Sequence, residues 1–391
     1  MDEMKQLLWT AGAESACEVV QQRAKPCPGT LIGAGKADEI RQAIEELGID
    51  FAAIDSDLTP AQNTKLEDRL GVRVLDRTQL ILDIFAQRAR TSEGKLQVEL
   101  AQLKYTLPRL TGHGKHMARL GGGIGMRHGA GEQKLEIDRR TVRQRIQRLQ
   151  RELERVRSTR RVQRKKRTES AVITAALVGY TNAGKSSLLR TLTRGDVFIE
   201  DKLFATLDPT SRRCTLPSGR MIILSDTVGF IRKLPHQLVA AFRATLEEVH
   251  EADLLILVAD AAQPSVRDQI AAVYDVLEEM EVSDKPIITV FNKQDIAAPD
   301  RLEDLLAAYP GAIPVSAHKG TGLANLLDAI DAHLEPKRRL VRLRIPQHES
   351  ALAAQVHREG RVLDERYENN DILLQAELEP VLRQRLAAYE E

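Results

Sequence analysis

With 391 residues and 42% hydrophobic content, the chain is long enough for two to four folded domains. Its 57 Lys and Arg balance 56 Asp and Glu, so the net charge of +1 by itself indicates no polyanionic partner. No apolar run approaches the ~20 residues of a membrane span, the opening at Met1, Asp2 and Glu3 is no secretory signal, and three cysteines (Cys17, Cys27, Cys214) without C-x-x-C spacing argue for reduced thiols in a cytoplasmic protein.

Residues 1–90 alternate short apolar runs with helical patterns. Residues 30–33 precede a helix over 37–47, residues 51–54 precede one over 61–70, and residues 72–75 read as a further strand. A small α/β domain with a parallel sheet is predicted. Gly33, Gly35 and Lys36 lack the rest of a phosphate loop, so they read as a strand-to-helix turn ahead of a second phosphate site.

The balanced total conceals a segregated charge. Residues 101–167 hold 20 Lys/Arg against 5 Asp/Glu, a local +15, and the other 324 residues carry −14. Within residues 91–168, Leu96, Leu100, Leu103, Leu107 and Leu110 step by four and three, as do Val142, Ile146, Leu149, Leu153 and Val156. Each set lines one helix face, and pairing the two stripes gives an antiparallel hairpin. Pro108 is expected to kink or stop the first helix. Residues 111–131 read as a glycine-rich connection of about 20 residues, a length that is functional or disordered more often than structural. It carries Lys115, Arg119 and Arg127 around Gly121, Gly122 and Gly123. Glycines let backbone amides approach phosphates closely, and the cations supply affinity through counterion release. An RNA-inserting tip is the preferred reading, with a disordered linker as its alternative. His113, His116 and His128 have no cysteine or carboxylate neighbours in sequence, so zinc is not expected. The second helix presents Arg148, Arg151 and Arg155 among ten cations in twenty residues, more than a solvated face needs, and reads as a phosphate-backbone contact.

Residues 169–336 carry the clearest chemistry. Gly179, Tyr180, Thr181, Asn182, Ala183, Gly184, Lys185 and Ser186 match G-x-x-x-x-G-K-[ST]. The match lies between an apolar run (172–178) and a helical pattern opening at Ser187, the context a phosphate loop requires. Its backbone N–H groups and helix start suit phosphate oxygens. Lys185 reaches the β- and γ-phosphates and Ser186 places its hydroxyl on Mg²⁺. Downstream, Asp226, Thr227, Val228 and Gly229 follow an apolar strand (221–224). Asp226 can hold Mg²⁺ through water, and Gly229 can offer its N–H to the γ-phosphate. Asn292, Lys293 and Asp295 follow another strand (286–291). The Asp295 carboxylate accepts from N1–H and the exocyclic amine of guanine, a pairing that adenine cannot make and that rejects the wrong base by roughly 10⁴-fold. Ser316 and Ala317 can meet guanine O6. These motifs in order, each at a strand end, select GTP and GDP over ATP. A threonine sensing the γ-phosphate and Mg²⁺ belongs between the loop and Asp226, with Thr206, Thr210 and Thr215 as candidates. After Gly229 stands Phe230, where Ras has a glutamine that orients the attacking water, so hydrolysis is expected to be slow without a partner. Potassium-activated GTPases carry an asparagine at the position of Asn182. K⁺ near that residue and a purely loop-shaping role stand about equal.

Residues 337–391 hold a strand (342–345), a helix (350–358), a strand (371–378) and a closing helix. No chemistry is visible there, and a small α+β interaction domain is predicted. The fold class is therefore α/β: a P-loop GTPase domain with an amino-terminal α/β domain, a helical hairpin and a small carboxy-terminal domain.

The glycine-rich run from Leu120 through Gly123, Gly125 and Arg127, with Gly131, Glu132, Asp138, Arg139 and Arg140, resembles the HflX family of ribosome-associated GTPases along nearly the whole chain. Phe204 to Pro209 and Asp226 to His236 match it too, and on that pattern Thr206 is the preferred switch threonine. The resemblance implies GTP hydrolysis with Lys185, Thr206 and Gly229 as its active groups, and binding to the large ribosomal subunit. It also implies approach of the hairpin tip to ribosomal RNA, and dissociation of stalled ribosomes under stress. A monomer is expected. The alternative is a GTPase serving as an assembly or regulatory RNA-binding factor, without subunit splitting.

Overall fold

The computed structural model describes residues 2–120, 130–168, 173–193, 203–204, 206, 209–232, 248–334, 339–378 and 380–390. They form two compact units, 1–329 and 330–391.

The first unit opens with helix α1 (Asp2–Ala11) and then α2 (Ala34–Leu47). The parallel pair β1 (Phe51–Ile54) and β2 (Arg73–Asp76) is bridged by α3 (Pro60–Leu70). Helix α3 begins where the sequence stops it from starting earlier: Thr59 and Gln62 form a reciprocal capping box, and Pro60 takes the first helical position. Residues 30–33, expected as a strand run, contribute only a bridge between Cys27 and Leu31, so the parallel sheet has two strands. Gly35 and Lys36 lie inside α2 rather than in a loop before it. Asp76 ends β2 and caps α4 (Arg77–Arg88), accepting the Gln79 N–H at 2.8 Å. Leu80, Ile81, Ile84 and Phe85 of α4 share one core with Leu7, Val98, Ala101 and Tyr105, and with Tyr180, Leu203, Phe204, Val228 and Ile231 from the sequence beyond the hairpin.

Helices α5 (Ser92–Leu120) and α6 (Ala130–Thr168) pack along the central part of the predicted stripes. Leu100, Leu149 and Leu153 are buried between them, with Leu96, Leu103 and Ile146 beside them. The Arg145 guanidinium forks onto both oxygens of Glu99 at 2.7 and 2.9 Å across the seam. Two expectations change here. Pro108 does not stop α5, and residues 111–120, expected as connection, continue the helix to Leu120. A proline removes one N–H, and twelve further residues of helical backbone bonding outweigh that loss. Residues 121–129, with Gly121, Gly122, Gly123 and Arg127, lie outside the described residues, as do the side chains of Lys115 and Arg119.

A six-stranded sheet follows: β3 (Thr174–Gly179), then α7 (Lys185–Thr193), β4 (Thr210–Thr215), β5 (Met221–Asp226), β6 (Leu254–Asp260), α8 (Val266–Glu279), β7 (Ile287–Asn292), α9 (Pro299–Ala308) and β8 (Ile313–Pro314). The order is β4-β5-β3-β6-β7-β8, parallel except for edge strand β4. Every residue of β6 is buried, because helices cover both faces of a parallel sheet. Functional loops therefore gather at the carboxyl ends of the strands. Helix α10 (Leu323–Leu334) closes this part.

In the second unit, β9 (Arg339–Pro346), α11 (Ser350–Glu359), β10 (Arg361–Glu368), β11 (Asp371–Leu378) and α12 (Pro380–Arg385) form an antiparallel sheet of order β10-β11-β9 with helical cover. Ile372, Leu374, Ala376 and Leu378 alternate into its core. Asn369 and Asn370 both take positive φ (48° and 72°), the twist that a two-residue hairpin turn needs. Among the described residues, no helix is long and apolar enough to cross a membrane.

Leu149 is fully buried in the α5–α6 seam. Leu149→Ala is expected to cost about 2–5 kcal/mol of local stability. Hydrogen exchange should rise over residues 142–156, while GDP affinity stays at the wild-type value.

Candidate nucleotide-binding site

The glycine loop runs from the end of β3 into the first turn of α7, as strand-loop-helix order requires. Gly184 takes φ 92°, and a Cβ there would fall 2.2 Å from Asn292 Nδ2, so only glycine admits this approach. Asn182 also takes a left-handed φ, 61°, a conformation asparagine tolerates better than most residues. Lys185 is buried, and its ammonium donates to Gly179 O at 3.1 Å and Tyr180 O at 2.9 Å. Burial pulls its pKa down to about 8, against the pull of Asp226 in the other direction. Ser187 follows in α7, half-buried.

Three oxygens meet beside this lysine. Ser186 Oγ lies 2.6 Å from Asp226 Oδ2, Thr206 Oγ1 lies 2.9 Å from the same oxygen, and the two hydroxyls are 2.8 Å apart. Thr210 and Thr215 stand at the two ends of β4, so Thr206 is the threonine that reaches the cluster. Asp226 is fully buried, and burial raises its pKa although Lys185 and the two hydroxyls oppose the shift. Its Oδ1 is a buried atom without a hydrogen-bond partner among the described residues. Hard oxygen donors around a desolvated carboxylate suit a small divalent cation. Thr227 anchors the strand end by donating to Leu177 O at 2.7 Å, and Val228 is buried in the shared core.

Gly229 sits against the loop: a Cβ there would lie 2.8 Å from Thr181 Cα and 3.1 Å from Lys185 Nζ. The Thr181 N–H donates to Phe230 O at 2.8 Å, and the Phe230 N–H donates to Gly179 O at 3.0 Å. The Phe230 ring is buried in the core beside Val249 and Leu257, away from any role in holding water.

The base end is equally tied. Asn292 is 1% exposed, donates from Nδ2 to Ala183 O at 2.9 Å and accepts the Ala317 N–H on Oδ1 at 3.0 Å. One side chain thus fastens the phosphate loop to the base loop. The Ser316 side chain hydrogen-bonds the Asp295 carboxylate and holds its pKa below the ordinary value, keeping it ionised as an acceptor. Lys293, at φ 63°, pairs with Asp260 Oδ2 at 2.8 Å. Asp260 was not among the sequence candidates, although its place at the end of an apolar strand marks it. Glu3, Arg77 and the Tyr180 hydroxyl also escaped sequence reasoning. Glu3 and Arg77 lie over a hundred residues from the loop they touch, and no local pattern announces such a contact.

Arg148, Arg151 and Arg155 are exposed on α6 and belong to the hairpin, not to the nucleotide site.

A glycine loop, a buried lysine, a serine–threonine–aspartate oxygen cluster and an Asn–Asp base loop on one parallel sheet define a P-loop GTPase. Comparison with known proteins narrows this. Residues 1–86 match the family described as GTP-binding GTPase N-terminal, residues 88–167 the GTP-binding GTPase middle region, and residues 174–293 the 50S ribosome-binding GTPase. GTPase HflX of Caldanaerobacter subterraneus is 45% identical over 99% of this chain and 89% of its own length. GTPase HflX of Escherichia coli is 44% identical over 91% and 84%, and that of Alkalihalophilus pseudofirmus 50% identical over 75% and 69%. The chain belongs to the HflX family of GTPases.

Guanine presents two donors to Asp295, whereas an amide at that position would offer one donor and one acceptor, the complement of xanthine. Asp295→Asn is expected to weaken GTP binding by roughly 10³ to 10⁴-fold and to bring xanthosine triphosphate binding up, read by competition against a fluorescent nucleotide.

Proposed function

We propose that the protein binds the large ribosomal subunit, hydrolyses GTP there, and separates the subunits of stalled ribosomes under stress. The single observation behind this reading is the union of two features: a GTPase domain matching a 50S ribosome-binding family, and a hairpin segment carrying a local charge of +15. Arg148, Arg151 and Arg155 contact phosphate, and the tip with Lys115, Arg119, Gly121, Gly122, Gly123 and Arg127 enters RNA. Ser186 and Thr206, and Asp226 through water, would hold Mg²⁺, which would supply positive charge beside the phosphate oxygens. The fit rests on the three converging oxygens and the unpartnered Asp226 Oδ1. Lys185, Thr206 and the Gly229 N–H hold the γ-phosphate. With Phe230 in the core, no side chain at that position orients water, so the ribosome completes the site. The protein acts as a cytoplasmic monomer.

Ribosomes sedimented with the protein and a non-hydrolysable GTP analogue are expected to yield free subunits, with protein on the large one. Intact ribosomes carrying bound protein would instead indicate an assembly or regulatory factor without splitting activity.

Asn182 would hold K⁺ beside the phosphates, its position being one that potassium-activated GTPases fill with asparagine. GTPase rates in K⁺ are expected to exceed those in Na⁺ severalfold, and equal rates would leave Asn182 with loop shaping alone.

A further inference from the structure

Helix α4 joins the hairpin to both segments that flank the γ-phosphate position. Its cap, Asp76, is fully buried and ties α4 to the hairpin: besides the Gln79 and Leu58 N–H groups, Oδ1 accepts the Tyr105 hydroxyl at 2.7 Å and Oδ2 accepts Arg109 Nη2 at 2.8 Å. Arg109 lies 3.5 Å over the Tyr105 ring and also donates to Leu58 O at 2.7 Å, so the middle of α5 is tied to α4 and to the Leu58 backbone.

The next residue, Arg77, turns to the opposite side. Its Nη2 donates to Arg232 O at 3.0 Å and bonds Glu3, while Nη1 bonds Asp55. Tyr180, in the phosphate loop, donates its hydroxyl to Glu3 Oε2 at 2.6 Å and accepts the Arg232 N–H at 2.8 Å. Both backbone groups of Arg232, three residues after Gly229, are thereby claimed by one circuit of Arg77, Glu3 and Tyr180. Two turns further along α4, Phe85 meets Phe204 edge-to-face, with ring centroids 4.7 Å apart. Phe204 takes φ 53°, a strained conformation for a bulky residue, two positions before Thr206. A guanidinium that is 3% exposed is costly where an apolar side chain would pack as well. What Arg77 adds over such a side chain is direction: one rigid fork that fixes a carbonyl and two carboxylates together.

We propose that Asp76 and Arg77 are positioning residues for GTP hydrolysis, transmitting the placement of helix α5 at Tyr105 and Arg109 to the 229–232 backbone and, through Phe85, to the Thr206 segment. The partner that moves the hairpin is taken from the ribosome reading above, on which that part rests.

Arg77→Lys keeps the charge and loses the fork; Tyr105→Phe keeps the ring and loses one bond to Asp76. In Arg77→Lys, GDP affinity, KM for GTP and co-sedimentation with large subunits are expected to stay within about twofold of wild type. The ribosome-stimulated kcat should fall about fivefold to tenfold. Tyr105→Phe should show the same split to a smaller degree, and it carries the test if Arg77→Lys does not fold. Wild-type stimulation in a folded variant overturns the proposal. A second readout needs no ribosome: replacing GDP with a GTP analogue should change hydrogen exchange over residues 105–109 in the wild type and not in Arg77→Lys. No change in the wild type also overturns the proposal. An exchange change without any stimulation by ribosomes supports the coupling and removes the ribosome as its source.

Discussion

Lys185 and Asp226 are opposite charges buried in one site, and burial pushes each toward its neutral form. Desolvating two ions costs several kcal/mol each, and mutual attraction alone rarely recovers it. Such a pair is sustained by a scaffold that holds it for a ligand of high charge. The sheet does this by pairing Asp226, the last residue of β5, with Leu177, two residues before β3 ends and the glycine loop begins. Gly229 follows from the same constraint, since a Cβ there would press on Thr181 and Lys185 Nζ, whereas Gly184 makes room for Asn292.

The base end depends on this arrangement through one side chain. Asn292 bonds Ala183 on the phosphate loop and Ala317 on the base loop, so the distance between phosphate and guanine sites is set by a single amide. The amino-terminal helices bear on the opposite side of the loop. Their core takes in Tyr180, Val228 and Ile231, and the buried polar groups Asp76 and Arg77 face the hairpin and the nucleotide site respectively. An apolar core could hold these parts together; the polar groups in addition specify one relative orientation.

Several elements were legible from local pattern. The α5 and α6 stripes were visible because a heptad repeat reports a buried seam whatever surrounds it. Strands β3, β5 and β7 of the GTPase sheet were visible because burial leaves apolar runs, whereas β4, an exposed and polar edge strand, carries no such run. Strand β10 was not seen: its sequence from Arg361 to Glu368 is mostly charged, and as an edge strand it buries little. Helix α4 was missed for a different reason. Its sequence buries residues at 77, 78, 80, 81, 82, 84 and 85, nearly all round, so no clean amphipathic period remains to be read. The helical continuation over 111–120 ran against Gly112, Gly114 and Pro108, whose individual costs a long, already nucleated helix absorbs.

By itself the sequence determined the nucleotide class, because phosphate and guanine recognition need fixed residue types at fixed spacing: Gly184, Lys185 and Ser186, Asp226 and Gly229, Asn292 and Asp295. It also determined where the positive charge lies, since charge is a property of composition. Only the tertiary structure brought Thr206, the threonine that the family pattern favours, to Ser186 at Asp226, and turned Phe230 into the core. It alone brought Glu3 and Arg77 to Tyr180 and Arg232. Those contacts depend on how separate cores pack against one another, and a side chain's reach across such a boundary leaves no periodic trace along the chain.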